Sequence, residues 1–273
     1  MPVPAQNQQY ENFIIRYKQN THGGFDYESD ETFQIVNDLF GILYVPMQEV
    51  PELELSSYSY SSIPRCYTYM DTGALSTSGV TRLHNHPYLK LQGKGTLVAV
   101  IDSGIDYLHP AFHNGVQSKI FSIWDQTLEG GADGRIPFGR EFGRQQIEQA
   151  LASENPWEIV PSSDTNGHGT RSAATAAGYR IEKDNFCGAA PEAEIVIVKL
   201  KQAKNYLRDF YLLPRDIDIF QEDDIMLAIS YVLFIAQEQQ MPLSICIGLG
   251  TSMGAHQGEG PLNEYINSIA AFT

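Results

Sequence analysis

The sequence predicts a doubly wound α/β fold with a mostly parallel sheet, preceded by a small α+β module over residues 1–70. Three apolar runs carry the prediction: residues 97–101 (Leu-Val-Ala-Val-Ile), 194–199 (Glu-Ile-Val-Ile-Val-Lys) and 243–248 (Leu-Ser-Ile-Cys-Ile-Gly). Continuous runs rich in β-branched residues mark strands covered on both faces. Between the second and third, Ile225, Ala228, Ile229, Val232 and Ile235 recur at helical spacing. Strands alternating with helices in this way build a parallel sheet with crossovers.

Taken from the N-terminus, residues 13–17 read as a strand and residues 31–40 as a short helix, with Phe33, Val36, Asn37 and Phe40 on one face. Residues 41–45 form a second strand stopped by Pro46, and residues 65–70 a third. The Ser/Tyr-rich stretch 56–62 reads as an exposed loop or edge, and residues 71–79 as a linker. The larger unit occupies residues 80–273. There Asp223 and Asp224 read as the cap of the long helix, which Pro242 ends. The mixed, acidic stretches 125–164 and 202–222 read as surface elaborations.

Composition narrows the function. The 273 residues carry 18 Lys+Arg against 33 Asp+Glu, a formal charge of −15, and no basic stripe interrupts that balance. Nucleic acid is therefore not an expected partner, because phosphate backbones are bound through clustered Lys and Arg. Membrane is not expected either. The longest apolar stretch, 225–236, is too short to cross a bilayer, and the polar N-terminus has no signal-peptide pattern. Three cysteines, Cys66, Cys187 and Cys246, make an odd number without metal-ligand spacing, which fits a reducing compartment. Cytoplasmic placement is the expectation from composition. Neither the pair His84 and His86 nor the pair His109 and His113 has acidic or Cys companions at ligand spacing. No metal and no cofactor are expected.

Two segments carry chemistry. The first runs Val98-Ala-Val-Ile-Asp102-Ser-Gly-Ile-Asp106-Tyr-Leu-His109-Pro110, with a carboxylate at the end of a buried strand, where open α/β sheets place reactive groups. The second is Asp164-Thr-Asn-Gly167-His168-Gly169-Thr170, a His between two glycines that opens a helix of small residues. Singly, a strand-end Asp is a common turn former and a lone His a common structural residue. Together they suit a carboxylate that accepts the imidazole Nδ1–H and leaves Nε2 to take a proton from a nucleophile.

The Asp102 segment, Asn166-Gly-His168-Gly-Thr170 and Cys187-Gly-Ala-Ala-Pro191 resemble, in order and spacing, the subtilisin-like serine proteases (peptidase family S8). Ser122-Ile-Trp-Asp-Gln126, Lys199-Leu-Lys201 and Gly250-Thr-Ser-Met-Gly-Ala-His-Gln-Gly258 resemble its clostridial branch, the Csp-type germination proteases. The resemblance covers residues 79–273. It implies a serine endopeptidase in which Asp102 orients His168, the general base and acid. It further implies that Gly248, Leu249 and Gly250 hold an extended protein or peptide substrate. It makes the first 70 residues a propeptide-like intramolecular chaperone. Spore-associated placement is an implication of this family resemblance alone. Calcium is not implied, since Ala111 stands where a family ligand follows the His-Pro turn.

The triad's serine is the departure. In this family it lies on the order of 150 residues beyond the His, and 105 residues follow His168. Ser252, in Gly250-Thr-Ser-Met253, imitates the nucleophile string. It follows the substrate strand directly, though, and lacks the downstream proline and helix. The expectation is a C-terminally incomplete catalytic domain whose serine lies beyond this chain, leaving the chain alone inactive. The alternative from another class is a pseudoprotease or regulatory partner that keeps the fold and the peptide groove.

Overall fold

The computed structural model describes residues 3–17, 32–50, 53, 58–69, 88, 91–131, 135–184, 186–254 and 257–270. The expected linker at 71–79, His84, His86 and His256 lie outside the described residues.

The N-terminal strands β1 (Tyr10–Arg16), β2 (Phe33–Ile35) and β3 (Phe40–Pro46) form an antiparallel sheet in the order β1-β3-β2. The helix expected over 31–40 is not formed. Phe33 pairs with Leu43 and Ile35 with Gly41, and Asn37 makes the turn by accepting the Leu39 and Phe40 N–H groups, each at 2.9 Å, through its side chain. Such Asx turns compete with helix. The apolar spacing that suggested a helix instead places Phe40 and Val36 in the core.

The next strand, β4 (Cys66–Tyr69), leaves this sheet. It lies between β11 (Phe220–Gln221) and β13 (Leu249–Gly250), antiparallel to both. The expected third strand of the N-terminal module is thus a strand of the larger unit's surface.

The main sheet is built from β5 (Leu97–Asp102), β8 (Ile120–Asp125), β9 (Arg140–Gly143), β10 (Glu194–Lys199) and β12 (Leu243–Ile247); β6 (His113–Asn114) and β7 (Gln117–Ser118) form a short hairpin beside it. Its order is β12-β5-β10-β8-β9, parallel except for β9. All six residues of β5 are buried. Leu97, Ala99 and Ile101 enter one core and Val98 and Val100 the other, the two-sided burial their continuous apolar run predicts. Each Val, Leu or Ile so buried contributes roughly 1.5–3 kcal/mol.

Helices α1 (Arg144–Leu151) and α3 (His168–Ala177) supply Ile147, Ala150, Ala173 and Ala177 to the second core, while α2 (Pro156–Ile159) is a single turn. Helices α5 (Glu222–Gln239) and α6 (Pro261–Ala270) cover the first, together with Ile14, Phe40 and Ile42 of the N-terminal strands. No helix among the described residues is long and apolar enough to cross a membrane.

Two stretches read as surface elaborations are core. Phe138, Phe142 and Val160 are fully buried, as are Leu207 and Phe220, with α4 (Asn205–Phe210) folded over a third cluster. Charged neighbours dilute their apolar periodicity in sequence. The acids of α5 are also displaced from their expected role. Gln221 takes the cap position, and Glu222, Asp223 and Asp224 form a wholly buried first turn, on the side the helix dipole favours for acids.

That turn anchors the N-terminal strands. Lys204 Nζ donates to Pro4 O (2.9 Å), Tyr10 O (3.1 Å) and Asn12 Oδ1 (2.6 Å), and Asn12 Nδ2 donates to Asp223 Oδ2 at 2.5 Å. Tyr206 hydroxyl accepts the Asn12 N–H at 2.8 Å and donates to Asn12 O at 3.0 Å. Lys201 Nζ meets Asp224 Oδ2 at 2.5 Å. Burial draws the Lys204 ammonium down to about 7 and pushes the Asp224 carboxyl up to about 7.

Candidate active site

Asp102 ends β5 and His168 opens α3, and the sheet brings these two ends together. His168 Nδ1 lies 2.8 Å from Asp102 Oδ1 and 3.0 Å from Oδ2. Asp102 is 1% exposed and His168 8%. A carboxylate only accepts, so the proton sits on Nδ1 and the tautomer is fixed. The Ser103 N–H adds a 2.7 Å bond to Asp102 Oδ1 that holds the carboxylate in plane with the turn.

Glycine makes this approach possible. Gly104 has φ +124°, and a Cβ on Gly169 would fall 2.2 Å from Gly104 O. A side chain on Gly169 would push the first turn of α3 away from the end of β5, while one on Gly104 would be strained by its positive φ and would meet Ser163 O at 2.8 Å.

The loop before α3 is tied by groups whose roles the sequence did not disclose. His168 N–H donates to Asn166 Oδ1 at 2.8 Å, and Asp164 Oδ2 accepts both the N–H (2.8 Å) and the hydroxyl (2.6 Å) of Thr170. Ser103 Oγ donates to Asp164 Oδ1 at 2.8 Å and accepts the Gly169 N–H at 3.0 Å. Asn166 Nδ2 reaches Asp218 Oδ2 at 2.8 Å. Asp164, Asn166 and Thr170 all stand in the string that contains His168, so their proximity was the available signal. Asp218 stands in a stretch with no motif. At the far end of α3, Lys119 Nζ donates to Ala177 O and, at 2.8 Å, to Pro191 O, and it lies over the Tyr179 ring. Burial draws Lys119 down to about 8.

Gly248, Leu249 and Gly250, expected together as a substrate contact, divide. Leu249 pairs with Tyr69 and Gly250 with Thr68, so these two edge a groove whose other wall pairs Phe220 with Tyr67 and Gln221 with Cys66. The Thr68 hydroxyl also donates to Asp218 O at 3.1 Å. Gly248 instead backs the Asp–His pair. A Cβ there would fall 2.8 Å from Asp102 Oδ2 and 3.0 Å from His168 Cε1.

Ser252 lines a cavity of about 400 Å³ beneath β4, with Leu213, Ile217, Ile219 and Met253 among its neighbours. Within this run Gly248 packs on His168. The Cys66 thiol, buried at the groove, is pushed up to about 12, which keeps it unreactive near neutrality. Among the described residues no group of three or more His, Cys, Asp or Glu is arranged to hold a metal ion. His113 is spent on turn carbonyls, at 2.8 Å from Gly115 O and 2.9 Å from Leu108 O.

This geometry has relatives. The subtilase family model matches residues 93–211. Subtilisin-like protease SBT1.4 of Arabidopsis thaliana is 30% identical over 125 residues, which is 40% of this chain and 16% of that protein. SBT1.9 of the same plant is 28% identical over 142 residues, 46% of this chain and 18% of its own. The CspB protease of Clostridium perfringens superposes with a TM-score of 0.57 at 30% identity, covering 70% of this chain and 36% of that one. The chain therefore spans about a third of CspB and less than a fifth of these plant proteases.

Proposed function

We propose that this chain, subtilase-family sequence over residues 93–211, contributes the acid–base half of a serine-type endopeptidase acting on extended protein segments. The observation that carries the reading is the buried pair itself, His168 Nδ1 held at 2.8 Å by Asp102 in the order and setting of the family. In the reaction His168 Nε2 takes the proton of a serine hydroxyl as that oxygen attacks the scissile carbonyl. The imidazolium, steadied by Asp102, then returns the proton to the leaving amine. Leu249 and Gly250 on one side and Phe220 and Gln221 on the other hydrogen-bond the substrate main chain. That pairing gives affinity independent of sequence. The serine and the oxyanion donors come from sequence beyond these 273 residues, so this chain alone is inactive.

Residues 1–70 act as a propeptide-like module. They pack into the same core as α5 and lay β4 in the groove as an extended peptide would lie. The second reading is a pseudoprotease that keeps the groove, and it draws on Ser252 lining the cavity among Leu213, Ile217, Ile219 and Met253.

Fluorophosphonate labelling with peptide mapping tests both. The expectation is no adduct on this chain and one adduct, abolished by His168→Ala, on a polypeptide extended past Thr273. An adduct on Ser252 would overturn the assignment of the nucleophile. No adduct on either would give the pseudoprotease reading the lead.

A further inference from the structure

We propose that the pocket holding the Arg65 side chain is a specificity subsite that selects arginine in a peptide bound along the groove, three positions before the residue paired with Gly250. The proposal rests on the reading that this groove binds extended peptides. It adds the side chain that such a peptide must carry.

Arg65 is buried although it is the residue leading into β4. Arginine is seldom buried without a partner, and removing its charge from water is costly. The partner is Glu222, itself fully buried, which engages this one residue three times. Its carboxylate Oε2 accepts the Arg65 main-chain N–H at 3.1 Å and stands 3.4 Å from Nε. Its own N–H donates to Arg65 O at 2.7 Å. The other oxygen, Oε1, is held by Leu262 N–H at 3.2 Å, so the carboxylate cannot swing away.

The far end of the side chain is shaped by two glycines. Gly254 and Gly260 have φ +87° and +125°, and a Cβ would fall 2.4 Å from Nη1 on the first and 1.7 Å from Nη2 on the second. The slot between them is open because both side chains are missing, and it admits a flat guanidinium. An ammonium on a flexible stem matches neither the fork nor the slot.

The walls of this pocket, Glu222, Gly254, Gly260 and Leu262, come from the larger unit. Its occupant comes from the segment lying in the groove. That division is the one between a receptor and a ligand. Without an arginine, Glu222 keeps its main-chain donors but loses the buried cation that balances its charge, a penalty that falls on every competing sequence.

The test uses the full chain with Arg65→Ala and Thr68→Pro. These substitutions empty the pocket and place a proline, which has no N–H, at the β4 position opposite Gly250. The probes are a fluorescein-labelled peptide, Ile-Pro-Arg-Cys-Tyr-Thr-Tyr-Met, and its analogues with Lys or Ala in place of Arg, read by fluorescence anisotropy. The arginine peptide is expected to bind at least about tenfold more tightly than the alanine one, with lysine failing to restore the difference. Glu222→Gln in the same background should abolish the preference. Equal binding of all three peptides would overturn the subsite and leave the groove standing. No binding by any peptide would overturn both. A second measurement needs no vacated groove. In the otherwise unaltered chain, Arg65→Lys should speed amide exchange in β4 by at least about tenfold while β5 is unchanged. Unaltered β4 exchange would overturn the proposal independently.

Discussion

Two buried clusters of charge in this chain are assembled in opposite ways. The Asp102–His168 pair joins the end of one strand to the start of one helix. Most of what orients it, Ser103, Asp164, Asn166, Gly169 and Thr170, lies within a few residues of one partner or the other, with Gly248 behind the pair and Asp218 on Asn166 coming from farther away. The cluster at the start of α5 draws Asn12, Arg65 and Lys201 from other parts of the sequence onto Glu222, Asp223 and Asp224, with Lys204 and Tyr206 fastened to Asn12. The first holds one proton on one nitrogen. The second neutralises charge across a seam. A site for chemistry must fix direction, and short loops do that well. A site for docking must balance charge, and any donor that reaches will serve.

Four experiments press on this contrast. Asp102→Asn removes the acceptor that keeps the proton on Nδ1. In the polypeptide that labels with fluorophosphonate, kcat should fall on the order of 10⁴-fold with folding stability little changed. A loss below about tenfold would mean that the pair is a packing feature like the other cluster. Lys204→Met should do the reverse. Stranding Pro4 O, Tyr10 O and Asn12 Oδ1 at the seam is expected to cost about 3–5 kcal/mol in urea unfolding. If the seam is unaffected, the N-terminal strands are held by their apolar face alone.

Gly248→Ala probes the wall behind the dyad. A methyl placed 2.8 Å from Asp102 Oδ2 must displace carboxylate or ring. A destabilisation of about 1–3 kcal/mol is expected, together with shifted His168 ring resonances in ¹⁵N NMR. Unmoved resonances would show that the wall yields instead.

The smallest effect is a slope. Lys119 is drawn down to about 8 when folded, against about 10.4 in an unfolded chain. Between those values the unfolded state holds more protons, so this group's contribution to stability rises with pH across that window. Lys119→Met should flatten the difference between pH 8 and pH 9.5 by about 1 kcal/mol relative to the parent. An identical slope in both proteins would mean that Lys119 is not desolvated where it clasps α3.

The contrast also explains what was legible beforehand. Asp102 and His168 could be read because their surroundings are local, and β5 and β10 because two-sided burial writes itself as an unbroken apolar run. Strand β12 carries the same kind of run but lies at the sheet edge with its residues only partly buried, so the expected cover on both faces is not met there. The turn at Asn37 was missed because a four-residue spacing cannot separate a helix from a hairpin that returns over the same distance. The seam was missed because Lys204 and Asn12 share no segment, and a buried lysine looks like a surface one until its three acceptors are in view. Strand β4 was recognised as a strand, but its partners, β11 and β13, are each two residues long. Nothing in so short a run declares a sheet edge. The three consecutive acids of α5 were read as a cap because such residues usually are one. Their burial depends on cations that arrive from elsewhere.

Strand β4 is paired on both edges but in two halves, Cys66 and Tyr67 with β11 and Thr68 and Tyr69 with β13, so freeing one half leaves the other still held. A rival that needs the whole groove must wait until both halves have opened. The local rate at which this strand escapes then sets a clock for the groove. Raising the concentration of a visitor shortens the wait only after the resident has left. A groove built this way answers to time before it answers to dose.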